Sequence, residues 1–300
     1  MATLRGRRRH LGDERLYSVG MNYRHAFHAG SFADVVKHAV LARIIAHLKE
    51  KPAAFRVIDT HAGAGLYDLA GPEASRTGEW RDGVGKLLAA KLEPAGCDLL
   101  APYLDAIAAF NAGPLKVYPG SPVLLQRWLR PQDRLVACEK EPDAARALMA
   151  RLRADRRAKA VAIDGYTALN AYVPPKERRG LVLIDPPFEQ PDEFDALARG
   201  LAAAHRKWPT GIYALWYPVK DARETEGFSR RLSRLAIPRT LQAELILSAR
   251  EGLRGSGLIL VNPPWRLESE LAVLLPALLN VLTDAPGAGH TFTRWLTAER

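Results

Sequence analysis

The 300-residue chain is long enough for one large domain or two ordinary ones, and 48% apolar with 25% charged residues is a globular balance that excludes wholesale disorder. No run approaches the roughly 20 apolar residues of a membrane helix, no secretory pattern opens the sequence, and two cysteines (Cys97, Cys138) are too few for a disulfide framework or a zinc cluster. These features predict a cytoplasmic protein. Forty-three Lys and Arg against 33 Asp and Glu give +10, an excess suited to a polyanionic partner. Residues 1–20 contribute five Arg and +3 of that charge, so the rest keeps +7.

Residues 1–20 show no sustained apolar period and read as a flexible basic extension, either a phosphate-binding arm or, the favoured reading, a dispensable addition from an upstream start, ahead of a patterned region that begins at Met21. From Ser31 to Glu50 apolar residues recur at helical spacing, with Ser31 and Asp34 spaced as an N-terminal capping pair. FRVID (55–59) then runs into the glycine-rich THAGAG (60–65), the way nucleotide-binding α/β domains begin. Further strand-like runs follow at 134–138, 160–163, 181–184, 211–217, 244–248, 257–262 and 291–296. Amphipathic helical stretches separate several of them, among them 142–153, 192–207 and 266–282. Such alternation predicts a mostly parallel sheet covered on both faces. About 70 residues separate the glycine turn from the next strand, far more than a simple crossover needs, so residues 68–117 are expected to form a helical insertion.

Asp185-Pro186-Pro187-Phe188 directly follows the apolar run 181–184, which places Asp185 at the sheet edge where doubly wound folds bind ligands. The prolines stiffen the loop and leave their carbonyls available as acceptors, and Phe188 offers a stacking face. This set suits methylation of an exocyclic nucleobase amine. A carboxylate and the Pro186 carbonyl accept its two N–H bonds and free the lone pair for attack on S-adenosyl-L-methionine. The same letters could simply end a strand, and a second copy, Asn262-Pro263-Pro264-Trp265, is assigned a structural role because it comes too late in the chain. At the other strand ends, His61-Ala-Gly-Ala-Gly65 permits close backbone approach, Glu139 is placed to hold ribose hydroxyls and Asp164-Gly165 to meet an adenine amino group. Each acid alone is more often a cap or turn residue, and it is the three strand ends in succession that carry the reading. The histidines of block 21–38 lack a completing carboxylate or thiol, so no metal is expected; a nucleic-acid-facing loop fits better.

NYRHAFHAGSFADVVKH (22–38), DTHAGAG (59–65), YPGSP (118–122), RRGLVLIDPPF (178–188), TGIYALWYP (210–218) and VNPPW (261–265) together resemble the RlmJ family, the 23S rRNA (adenine(2030)-N6)-methyltransferases, over residues 21–300. The resemblance implies a class I, Rossmann-like, S-adenosyl-L-methionine-dependent methyltransferase with a mostly parallel seven-stranded sheet. It implies Asp185 as the catalytic residue, also beside the donor. It further implies donor contacts from His38, His61, Ser121, Glu139, Asp164 and Gly165, and Tyr23 acting on the RNA. Phe188 stands where the family usually has tyrosine. The expected enzyme is a monomer acting on free or partly assembled 23S rRNA. The competing readings are a DNA adenine-N6 methyltransferase and a non-enzymatic RNA-binding assembly factor.

Overall fold

Apolar runs flanked by amphipathic helices fold into a single layered arrangement in the computed structural model, which describes residues 24–248, 252–285 and 287–297. The basic extension 1–20 and Tyr23 lie outside the described residues. Helix α1 (Phe32–Glu50) leads into strand β1 (Arg56–Asp59), and the glycine turn follows. Strands β2 (Leu66–Asp68) and β3 (Val117–Pro119) pair antiparallel as a separate ribbon. Between them run helices α2 (Pro72–Thr77), α3 (Lys86–Ala89) and α4 (Pro94–Ala108). The chain continues through α5 (Ser121–Trp128), β4 (Arg134–Glu139), α6 (Pro142–Leu152), β5 (Ala158–Ala162), α7 (Gly165–Tyr172) and β6 (Gly180–Ile184). It ends with α8 (Glu193–Lys207), β7 (Ile212–Val219), α9 (Ala222–Arg234), β8 (Thr240–Leu247), β9 (Gly255–Val261), α10 (Leu267–Leu282) and β10 (Gly289–Thr297).

The main sheet has the order β10-β8-β9-β7-β6-β1-β4-β5. β1 lies centrally, with Val57 in register with Leu135 of β4 and Leu181 of β6, both parallel. β9 pairs antiparallel with both β7 and β8, and β10 runs antiparallel along β8. Among the described residues the sheet therefore has eight strands, not the expected seven. The eighth, β10, covers the backbone edge that β8 would otherwise expose.

Strand β6 is buried along its whole length, which is why it reads as an unbroken apolar run rather than an alternating one. Successive residues face opposite cores. Val57, Leu181 and Leu183 pack toward α1, α4, α5 and α10, whereas Ile58, Val182 and Ile184 pack toward α8 and α9. Helix α1 is enclosed by the sheet, α4, α5 and α10, so its first eleven residues, polar ones included, are all buried. Among the described residues no helix is long and apolar enough to cross a membrane.

Candidate active site

Parallel β1, β4, β5 and β6 bring their carboxyl ends to one edge, and with them Asp59, Glu139, Asp164 and Asp185. A cavity of about 490 Å³ opens there, in the size range of small-molecule sites. His38, His61, Ser121, Glu139, Asp164, Gly165 and Asp185 all reach its wall, as do Lys37 and Pro187. Pro186 is buried behind the wall and Phe188 is turned away from it.

One half of the cavity is built on the glycine turn. Gly63 and Gly65 have φ of 63° and 85°, conformations glycine adopts without strain. Gly63 N–H donates to Glu139 Oε2 (2.7 Å) and Glu141 N–H to Glu139 Oε1 (2.7 Å), so two backbone amides fix that carboxylate at the end of β4. Asp164 caps α7, accepting from Thr167 N–H at 3.0 Å, and its other oxygen lies 3.7 Å from Lys140 Nζ. Burial acts to raise its pKa, but the Thr167 amide and hydroxyl and the Lys140 charge hold it below the usual carboxylate value. Asp164 is thus both a helix cap and part of the cavity wall. Gly165 is required by its neighbours: a Cβ there would stand 2.4 Å from His61 Nε2 and 2.6 Å from the Thr60 carbonyl. Below the floor, Ser121 Oγ–H donates to Asp59 Oδ2 (2.7 Å). Burial pushes the Asp59 carboxyl up to about 7, with the Asp185 charge adding to the rise against the Ser121 hydrogen bond.

The other half is organised by Lys37. Its ammonium, 4% exposed, donates to Asp34 Oδ1 at 2.8 Å and to Asp185 Oδ2. Burial works against the charged ammonium, yet Asp185 and Asp34 together raise its pKa above the ordinary lysine value. Asp34 is fully buried and accepts from Gly30 N–H (3.0 Å), and its Oδ2 lies 3.0 Å from His25 Nε2. Burial would raise its pKa; Lys37 first and then the neighbouring histidines hold it well below the usual range. Asp34 therefore serves this cluster rather than a side-chain cap shared with Ser31, which makes no capping bond. Next to it, His38 Nδ1 lies 2.7 Å from Tyr118 Oη, while its buried Nε2 has no hydrogen-bond partner among the described residues. Burial pushes that imidazole down to about 3, so it is neutral.

Lys37 and Asp34 escaped the sequence reading as site residues. The available signal was their i, i+3 spacing in the first half of α1, where they are the two Asp, Glu, Lys or Arg residues in an otherwise mainly apolar run. Phe188, with φ of 52°, packs edge-on against Phe194 and Trp216, ring centroids 5.0 and 5.8 Å away. The second diproline motif is resolved by strand direction. β9 runs opposite to β6, so Asn262 emerges at the far edge, where Nδ2 donates to the carbonyls of Pro209 and Gly211, both at 2.8 Å.

Residues 52–297 match the model of the family described as "RsmJ: Ribosomal RNA large subunit methyltransferase D, RlmJ". The chain belongs to this family. It is similar to "Ribosomal RNA large subunit methyltransferase J" of Escherichia coli (strain K12), 41% identical over 283 residues that span 93% of this chain and 100% of that relative. A protein of the same name from Haemophilus influenzae is 37% identical over 284 residues, again 93% of this chain and 100% of the relative. The crystal structure of protein LPL1258 from Legionella pneumophila covers 89% of this chain and 98% of its own, at 33% identity and a TM-score of 0.81.

As an RlmJ-family methyltransferase the chain uses S-adenosyl-L-methionine, and the cavity fits that donor. An unpartnered buried His38 Nε2 offers a polar contact. The glycine turn leaves room for backbone approach, and Glu139, Asp164 and Asp185 supply the negative charge that a sulfonium cation favours.

Proposed function

We propose that this chain methylates the exocyclic N6 of adenine 2030 in 23S rRNA, acting on free or partly assembled rRNA. The observation that carries the reading is Asp185: a carboxylate on a stiff diproline loop, anchored by buried Lys37, in the same cavity as His38, Glu139 and Asp164. In this reading His38, His61, Ser121, Glu139, Asp164, Gly165 and Asp185 hold the donor, whose sulfonium supplies an electrophilic methyl and a good leaving group.

Asp185 accepts one N–H bond of the target amine, and the diproline loop, of which Pro187 lines the cavity, offers the acceptor for the other, which favours a pyramidal nitrogen. An ordinary aspartate is far too acidic to strip a proton from a neutral aromatic amine. Its work is to accept a hydrogen bond as positive charge develops on nitrogen. Lys37 fixes the carboxylate so that no reorganisation is needed at that moment. The target base must leave its stack to reach the cavity, which favours RNA not yet locked into a subunit. Tyr23 from the arm preceding α1 acts on the RNA, and Phe188 shapes the substrate side through Phe194 and Trp216 rather than by direct stacking. We read 21–300 as one methyltransferase domain carrying a helical insertion at 68–117, preceded by a basic extension, and working as a cytoplasmic monomer.

Purified protein with labelled donor, offered naked 23S rRNA, assembled subunits and duplex DNA, tests this. Labelling of naked rRNA well above subunits and DNA is expected. Equal labelling of rRNA and subunits rejects the substrate preference, and labelling of DNA alone replaces the RNA reading. Asp185→Ala should abolish transfer while donor binding only weakens; substantial retained activity contradicts the role of that carboxylate.

A further inference from the structure

The charge of this protein is divided between the two edges of its sheet. Segments at the carboxyl ends of the parallel strands (59–65, 139–143, 163–167, 185–193 and 219–224) hold eleven Asp and Glu against three Lys and Arg. Segments at the opposite edge (49–56, 130–134, 153–158, 174–180, 206–211, 234–240 and 262–268) hold sixteen Lys and Arg against five Asp and Glu. The excess at that amino edge alone accounts for the +10 of the whole chain. The catalytic edge is therefore the acidic one.

Part of the amino-edge charge serves the fold. Arg130 and Arg179 donate to the carbonyls of Lys51 and Ala53 after α1, each at 2.8 Å. Another part points outward: Lys51, Lys176, Arg206 and Arg234 are exposed, each on a different connection. At this edge Trp265 is 69% exposed, with the Arg266 guanidinium 4.5 Å from its ring centroid. From β8 to β5 the amino-edge segments span six strand spacings, about 29 Å, of which the connections bearing the four exposed cations cover the four from β8 to β1, and strands of four to eight residues separate the two edges by roughly 13–26 Å.

We infer that the basic amino edge, with Trp265 as a stacking platform, is a second RNA-contacting surface that holds the phosphate backbone flanking the target, while the acidic edge admits the extruded base. The inference rests on the RNA reading of the active site and adds where the binding energy for a polyanion comes from. Phosphates are repelled by the carboxylates around the cavity and attracted by the far edge, so only an RNA long enough to span both gains from it. A row of cations across the sheet has the form of a polynucleotide strand, and an exposed indole beside arginine takes an unpaired base.

The test compares the full chain with a Lys51→Gln/Lys176→Gln/Arg206→Gln/Arg234→Gln variant and, separately, Trp265→Ala. Binding and methylation are measured on a long 23S rRNA fragment and on a minimal hairpin around the target, over a series of salt concentrations. Each lost phosphate contact should flatten the dependence of log K on log salt by about 0.7–0.9, so the quadruple variant loses about 3 from its slope on the long fragment. Its KM for that fragment should rise about tenfold or more with kcat unchanged, and its kinetics on the hairpin should match the unaltered protein. Trp265→Ala should weaken long-fragment binding without changing the slope. An unchanged slope and KM on the long fragment overturns the inference, as does equal damage on the hairpin. Loss of binding to phosphatidylglycerol vesicles with RNA binding intact assigns the edge to a membrane instead. If the unaltered protein binds RNA but methylates none, the active-site reading fails, and the salt slopes still decide the surface.

Discussion

Replacing Lys37 with methionine removes the ammonium that bridges buried Asp34 and the largely buried Asp185. Asp34 is 2% exposed and Asp185 11%, so neither can recover its hydration in place. Breaking a buried pair by removing one partner costs about 3–5 kcal/mol. At roughly 2–4 °C per kcal/mol for a chain of this size, the melting temperature should fall by about 6–20 °C near neutral pH. Asp185→Asn is the control: Lys37 keeps Asp34 at 2.8 Å, and the loss should stay under about 2 kcal/mol. Acidity gives the sharper discrimination. In the unaltered protein the Asp34 pKa is lowered, so its stabilisation is present above the unfolded value and is lost as pH falls. Without Lys37 burial raises the Asp34 carboxyl, so its contribution is present at low pH and lost as pH rises. The gap in melting temperature between protein and variant should therefore shrink from pH 7 toward pH 4. Thermal melts across that range decide it. A Lys37→Met variant that melts within about 2 °C of the parent at pH 7, or a gap that does not vary with pH, refutes the reasoning.

Gly165→Ala should cost about 1–3 kcal/mol in denaturant unfolding and weaken donor binding, because the new methyl meets His61 and the Thr60 carbonyl; parental values for both would show that the turn yields freely. Tyr217→Phe deletes a buried hydroxyl that donates to Glu244 Oε1 at 2.6 Å, and should cost about 1.5–3 kcal/mol while leaving the methylation rate unchanged. His38 is neutral in the fold down to about pH 3 but takes a proton in the unfolded chain near the ordinary histidine value of 6.5, so it makes stability fall as pH drops between those values. His38→Gln should flatten that acid loss and weaken donor binding, and a variant with the parental pH slope would remove His38 from the explanation.

The parallel core was legible because strands buried on both faces carry uninterrupted apolar runs, and the position of Asp185 followed directly from the run before it. β8 was harder. The sequence marks only 244–248, yet the strand begins at Thr240, because Gln242 and Glu244 are buried polar residues within it. Gln242 accepts from Arg294 Nε at 2.7 Å and donates to Tyr217 Oη at 2.7 Å, a network no local pattern announces. Lys37 was hidden for a similar reason, since its partner Asp185 is 148 residues away. The orientation of Phe188 depends on a positive φ that sequence does not encode for a non-glycine residue. Two identical diprolines could be told apart by chain order, and the physical distinction is that one follows a strand pointing toward the cavity and the other a strand pointing away.

The most direct test of the account is mass mapping of N6-methyladenosine in 23S rRNA lacking the modification, incubated with donor and either the unaltered chain or Asp185→Asn. A single new methyl at adenine 2030 with the unaltered chain, and none with the variant, is the predicted result. Methylation at that adenine by the variant at a rate near the parent's, or none by either protein, contradicts the account.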